Sequence, residues 1–279
     1  FTNPRIWRLA PRGESLCLNC TIGWWIINKF VYDVFLSESA AGNPCGVVEL
    51  ENWLSDSELI KITREIGQPV TSFIVMSDGN FNIRWFSLES EINLCGHGSL
   101  GAGAAILSKY VLNEVVLNSK HGEVVISERN GLYTIVLPSW QAEPSEITSE
   151  ISDLTNRAIE VFTTRDLIIV LPTEESVATF KPDYDRLKKM TDYHALIVTA
   201  QSGESSYVLR YFAPKIGIDE DRATGSAQCS LAPYWFRKLD VNSLSVRQLS
   251  NSGGYFQVKK KSDTLIEVFA QVKIRVPAI

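Results

Sequence analysis

Histidine is scarce in this chain. Only three occur in 279 residues, His97, His121 and His194. None stands at a metal-ligand spacing from another, which argues against a histidine-built metal centre. Cysteine is sparse and odd in number: five residues, mostly in apolar surroundings. That pattern fits a reduced, cytoplasmic protein better than a disulfide scaffold. Cys17 and Cys20 form a lone C-x-x-C with no second pair and no nearby histidine, so no zinc site is expected there. No apolar run approaches the ~20 residues that a membrane-spanning helix needs, so no membrane partner is expected. An excess of basic charge is missing too. The formal net charge is −5, and the one cationic run, Lys259-Lys260-Lys261, reads as a solvated strand or turn. A nucleic-acid partner is therefore not expected.

What is present is an ordinary globular balance of 45% apolar and 21% charged residues, long enough for one large or two modest domains. Two segments stand out. Leu94-Cys95-Gly96-His97-Gly98-Ser99 and Asp221-Arg222-Ala223-Thr224-Gly225-Ser226-Ala227 are tight, polar, glycine-containing turns. Each runs into an apolar helical pattern, from Leu100 in the first and from Cys229 in the second. A helix start leaves N–H groups unpaired and carries partial positive charge, so it holds carboxylates well. Two such starts suggest two similar halves whose helix ends converge on one anionic ligand. An imidazole (His97), a carboxylate (Asp221) and a hydroxyl (Ser226) lie at those ends, a set suited to proton chemistry on a small acid.

The pattern between these turns predicts an α+β fold. Ser55-Asp56-Ser57-Glu58 is a capping box; Leu59, Ile62 and Ile66 follow at helical spacing, and Gly67 stops that helix. Strands are expected at 31–36, 45–50, 72–76, 82–86, 115–117, 123–128 and 132–137. Asn130-Gly131 is the strongest hairpin signal. The polar stretch 141–152 is the expected boundary, giving halves at 30–142 and 143–279 with the active-site cleft between them. In the second half, strands are expected at 166–171, 195–200, 207–212, 245–249, 255–259 and 264–276. A short helix is expected at 184–190, and a longer one after Ser226 with Pro233 either kinking it or lying in its first turn. Strands around one apolar helix per half imply a curled sheet wrapped on a helix. Gly98, Gly101 and Gly103 each weaken their helix by roughly 1 kcal/mol relative to alanine. They signal close approach, either to the sheet or, for Gly98 above all, to a ligand.

The ordered motifs also carry a resemblance. They comprise Val34-Phe35, Ala41-Gly42-Asn43-Pro44-Cys45-Gly46, Arg64-Glu65-Ile66-Gly67, Thr71-Ser72-Phe73, Arg84-Trp85-Phe86 with Glu91, and Leu94-Cys95-Gly96-His97. Tyr211-Phe212-Ala213-Pro214, Glu220-Asp221, Thr224-Gly225-Ser226-Ala227 and Tyr234-Trp235 complete them. From about residue 30 onward the chain resembles the PhzF-like phenazine-biosynthesis family, which shares the diaminopimelate epimerase fold. The resemblance implies two pseudo-symmetric halves, each a curled, largely antiparallel sheet wrapped around a central helix, and a homodimer. It also implies a cofactor-free and metal-free isomerase that moves a proton between ring carbons of dihydro-hydroxyanthranilate. Residues 1–29 fall outside it and are read as a leader, an artificial extension or a mis-assigned start. Their basic-then-apolar order suggests a signal peptide, but Asn19, Thr21 and Asn28 interrupt the apolar part.

Carried over by position, His97 and Asp221 match the family's catalytic residues. Asn43, Gly98, Ser99, Gly225 and Ser226 are the candidate substrate-binding positions. The family's proton-shuttling glutamate has no counterpart, because Val70 stands where it would be and Pro69 and Thr71 flank it. Glu65, the nearest carboxylate, matches a different family glutamate on a helix. Each candidate also has a plainer role open to it: His97 and Ser226 as caps, Asp221 as a helix-start acid, Asn43 as a turn residue. The related epimerases use two thiols, and Cys95 lies where the first would be. Thr224 occupies the second position, which argues against a two-cysteine racemase. Two readings follow: an isomerase in which His97 or Asp221 carries the proton, or a small-carboxylate-binding or regulatory protein on the same scaffold.

Overall fold

The computed structural model describes residues 28–190 and 192–275, with the backbone of 21–22 and 25–26. The Cys17/Cys20 pair and most of the 1–29 segment lie outside the described residues. A small hairpin, β1 (Thr21–Ile22) and β2 (Trp25–Ile26), precedes the main sheet. The first half runs β3 (Lys29–Leu36), β4 (Asn43–Leu50), α1 (Asp56–Ile66), β5 (Val70–Ser77), β6 (Asn80–Ser87), β7 (Glu91–Ile92), α2 (Gly96–Tyr110), β8 (Glu114–Ser119), β9 (Gly122–Arg129) and β10 (Leu132–Pro138). The second runs β11 (Glu143–Ser145), α3 (Ser149–Leu154), β12 (Glu160–Thr163), β13 (Leu167–Val170), α4 (Glu174–Ala178), α5 (Tyr184–Lys189), β14 (Leu196–Gly203) and β15 (Ser206–Phe212). A 3₁₀ turn at Gly225–Ala227 leads into α6 (Gln228–Leu239), and β16 (Ser243–Gln248), β17 (Gly254–Lys260) and β18 (Leu265–Ile274) close the chain.

The two halves repeat one sequence of joints. In the first, β3–β4 is antiparallel, β4–β5 parallel, β5–β6 antiparallel, β6–β8 parallel, and β8–β9 and β9–β10 antiparallel. In the second, β12–β13, β13–β14, β14–β15, β15–β16, β16–β17 and β17–β18 follow the same order of senses. This is the pseudo-symmetry and the α+β, curled-sheet architecture expected from the sequence. Strand β18 belongs to both halves, because it pairs with β17, β3 and β10. That pairing closes the first sheet into a ring around α2, which touches β3, β4, β5, β8, β9, β10 and β18.

Local chemistry explains the elements that hold the site. The capping box forms: Ser55 N–H donates to Glu58 Oε2 at 2.9 Å, and Glu58 N–H donates to Ser55 Oγ. Gly67 ends α1 in the left-handed region at φ 69. Asn130 and Gly131, both at positive φ, turn β9 into β10. Residues 70, 72 and 74 of β5 face α2, whereas Phe73 and Val75 face the cluster under α1. Helix α2 is buried on nearly all sides, and its glycines serve that packing. A Cβ on Gly101 would lie 2.4 Å from Cys45 Sγ, and one on Gly103 2.5 Å from Ile126 Cγ2.

Pro233 lies inside α6, not in its first turn. Proline has no N–H for the Cys229 carbonyl four residues back. Trp140 N–H donates to that carbonyl at 2.8 Å instead, so the break in the helix ladder ties α6 to the 139–142 connection. The short elements β7, β11, β12, α3 and α4 were not expected from the sequence. Each spans six residues or fewer, too short for a period to show. Stretch 141–152, read as a polar boundary, holds β11 and the start of α3, capped by Thr148.

Candidate active site

The two glycine-containing turns meet. Helix α2 starts at Gly96, not after Ser99, because Cys95 is its N-cap and Cys95 Sγ accepts from Gly98 N–H at 3.3 Å. The polar turn is therefore the first turn of the helix itself. A Cβ built on Gly96 would lie 3.6 Å from Gly225 Cα and 3.8 Å from Ser226 N, so the start of α2 abuts the 3₁₀ turn that opens α6. No side chain at 96 or 225 separates the two helix starts, which brings two partial positive charges to one spot.

Asp221 lies at this junction under a fixed set of hydrogen bonds. Asn43 Nδ2 donates to its Oδ1 at 2.8 Å, and Thr224 Oγ1 donates to its Oδ2 at 2.6 Å. Asn43 Nδ2 also donates to the Ala223 carbonyl at 2.9 Å. Gln248 ties the loop from the other side: its Nε2 donates to Asp221 O at 2.7 Å and its Oε1 accepts from Thr224 N–H at 2.7 Å. Burial raises the Asp221 pKa above the ordinary carboxylate value, and the Thr224 and Asn43 hydrogen bonds pull it partly back.

His97 occupies the first turn of α2 and is buried. Burial drives its pKa down to about 4, so its imidazole is neutral at physiological pH. Its Nδ1 lies 3.4 Å from Cys95 Sγ. The Cys95 thiol is pushed up to about 12, chiefly by burial and further by the Asp221 charge, so it stays protonated. A neutral imidazole, a protonated thiol and a carboxylate of raised pKa thus share one junction. Of the three, only the Asp221 carboxyl is moved toward neutral pH, as a general acid/base requires, while the imidazole and the thiol are held neutral and offer hydrogen bonds. The contact of His97 with Cys95 depends on Cys95 being the cap, which residue types alone do not reveal.

The remaining candidates divide. The Ser226 hydroxyl caps no helix and has no hydrogen-bond partner among the described residues. Gly225 is needed for space, since a Cβ there would lie 2.9 Å from Phe35 Cζ. Ser99 is fully buried, and its hydroxyl donates back to Cys95 O at 2.7 Å. Gly98 has its N–H on Cys95 Sγ and its carbonyl on Ser72 Oγ, and a Cβ there would meet Ser72 Oγ at 2.8 Å. Packing accounts for Gly98. Val70 opens β5, buried, opposite Cys45 in the ladder and on the face toward α2. Glu65 is elsewhere, on α1 and paired with Lys29 at 2.7 Å. Glu91 holds Arg84 through two bonds and Lys120 through a third, which lowers it to about 2.

Three further residues stand at the junction. Gly96 and Phe35 lie within the marked motifs without a role assigned to either, and Gln248 lies in none of them. Phe35 adopts φ 66 where a bulge breaks the register between β3 and β18. A positive φ is strained for a bulky residue. It turns the Phe35 ring onto Phe256, at 4.2 Å between centroids, and against Gly225. Among the described residues, no three His, Cys, Asp or Glu side chains are grouped as a metal ion would require.

Paired curled sheets whose central helices meet start to start, with Asp221 and Cys95 at the meeting point, define an α+β fold of the diaminopimelate epimerase type. The chain belongs to the phenazine biosynthesis-like (PhzC–PhzF) family, whose model matches residues 32–275. It is 66% identical over 262 residues to an uncharacterized isomerase of Vibrio cholerae, covering 94% of each chain. A crystal structure of a phenazine biosynthesis protein of the PhzF family from Enterococcus faecalis is 31% identical, with a TM-score of 0.82, covering 88% of this chain and 95% of that one. A hydroxyproline epimerase from Agrobacterium vitis shares the fold at 9% identity, with a TM-score of 0.56, over 91% of this chain and 93% of that one. No helix among the described residues is long and apolar enough to cross a membrane.

Proposed function

We propose that this protein is a PhzF-type isomerase that moves a proton on a small cyclic or amino carboxylic acid without a cofactor, using Asp221 and His97 in place of the family glutamate. The observation that carries this reading is the abutment of the two helix starts at Gly96 and Gly225 beside Asp221. The substrate carboxylate sits at the paired positive ends of the two helices, with Ser226 as an added donor. Asp221 takes the proton from the neighbouring carbon, and the electron pair of that C–H bond moves into the carboxyl group. The charge that develops on oxygen is stabilised by the helix starts. The same proton then returns to a different carbon on the same face, and Asp221 is again a carboxylate. His97, neutral, donates or accepts a hydrogen bond during the transfer and sits against the Cys95 thiol.

Val70 motivates a second reading. A valine buried in β5 cannot exchange a proton, so the scaffold would bind a small carboxylate without turning it over. Both readings retain a homodimer and a cytoplasmic setting as expectations, with the ligand site between halves 30–142 and 143–279. Turnover of an identified acid by wild type, His97→Ala and Asp221→Ala separates the readings. The isomerase reading expects the Asp221 variant to lose at least a hundredfold, the usual weight of a general base. Equal rates in all three proteins would refute the assignment of these two residues.

A further inference from the structure

Asn43 was a candidate for touching the ligand. Its geometry assigns it elsewhere. The residue is fully buried at the head of β4, and Nδ2 spends its hydrogens on Asp221 Oδ1 and Ala223 O. Its Oδ1 is buried and has no hydrogen-bond partner among the described residues. Flipping the amide would set that oxygen against a carboxylate and a carbonyl, so the orientation is forced by its neighbours. A buried acceptor left unpaired is costly. The fold accepts that cost to keep both N–H bonds on the 221–223 loop.

The backbone before Asn43 fixes it to the second half. Ala41 N–H donates to Ser252 O at 2.7 Å and Gly42 N–H to Gly253 O at 3.0 Å. Gly42 adopts φ 72, and a Cβ there would lie 2.2 Å from Val34 O, so only glycine makes this turn. Asn43 thus reaches across 178 residues of sequence to a carboxylate that its own half does not contain.

We infer that Asn43 is a positioning residue, which sets the orientation of the Asp221 carboxylate and favours its ionised form, and that it makes no contact with the ligand. Its role is defined for the proton-transfer reading above, but its effect on Asp221 exists without any substrate. Besides Asn43, the groups that face Asp221 are the Thr224 hydroxyl, the adjacent Arg222, Tyr211 from β15 and Cys95 at the cap of α2. None of these is altered by substitution at 43.

The test is a carboxyl ¹³C NMR titration of the full chain labelled at aspartate Cγ, with the Asp221 signal assigned by its loss in Asp221→Asn. Asn43→Ala is the first variant. Asn43→Ser, whose hydroxyl is too short to reach Asp221, serves where the alanine variant does not fold. In either, the Asp221 transition moves to higher pH, because a bond to the charged form is gone. An unchanged transition overturns the inference. In the kinetic arm, kcat falls roughly tenfold, as for one charge-assisted bond lost, and KM stays within about twofold. A raised KM with kcat unchanged would make Asn43 a ligand contact and also overturn it. If wild type turns over no acid, the isomerase reading fails and the titration still decides the role of Asn43.

Discussion

Lowering the pH should destabilise this protein through His97. The imidazole is 8% exposed, and burial lowers its pKa from 6.5 to about 4. Between those values the unfolded chain binds a proton at this site that the folded chain does not, so acid favours unfolding. Stability is intact above the unfolded value and is lost as pH falls toward the folded one. At 1.36 kcal/mol per unit, the full window is worth about 3 kcal/mol, of which about 2 kcal/mol goes between pH 7 and pH 5. Urea denaturation followed by tryptophan fluorescence at a series of pH values reads this directly, with His97→Asn as reference. His194 is also lowered by burial and acts in the same direction, while the raised Asp221 acts in the opposite one. Both remain in the variant and cancel in the difference. Wild type should lose about 2 kcal/mol more than His97→Asn from pH 7 to pH 5. Equal losses in the two proteins would show that His97 is not buried neutral, and would remove the electrostatic basis assigned to the site.

The α2 glycines separate packing from ligand roles. Gly101→Ala and Gly103→Ala should each lose ~1–3 kcal/mol by overpacking, despite a gain of up to ~1 kcal/mol in helix propensity; Gly96→Ala, whose Cβ has 3.6 Å of clearance, should change urea midpoints little. Phe35→Ala should destabilise by ~3–5 kcal/mol, measured the same way, since the ring is fully buried against Phe256 and Gly225. Ser226→Ala should weaken binding of the substrate carboxylate by ~0.5–1.5 kcal/mol, seen as a raised KM at near-constant stability. An unchanged KM would leave Ser226 out of the site.

The fold was legible where the sequence carries a strong local rule. The Ser55/Glu58 box, the Gly67 stop and the Asn130-Gly131 turn are each decided by a few adjacent residues, and all three form. The meeting of the two helix starts was legible because both turns combine glycine with polar side chains ahead of an apolar run. What could not be read depends on partners remote in the chain. Cys95 as a cap, and hence the start of α2 at Gly96, requires knowing the backbone at 95. The roles of Asn43 and Gln248 depend on residues of the other half or of a distant loop. Pro233 looks like a fault in a helix until Trp140 is seen to take the carbonyl it leaves free. Gly98 shows the limit most plainly: its place beside His97 suggests ligand, while Ser72 and Trp85, on neighbouring strands, already occupy the space its Cβ would need.

The central claim is that this site moves protons without a carboxylate at position 70. Proton NMR in D₂O tests it most directly, with dihydro-hydroxyanthranilate and a panel of small cyclic and amino carboxylic acids. Wild type, Asp221→Asn and Val70→Glu are compared in parallel. The account predicts exchange or isomerisation of at least one acid by wild type, and its loss in Asp221→Asn. A silent wild type beside an active Val70→Glu would contradict it, showing an intact binding site that has lost its acid/base.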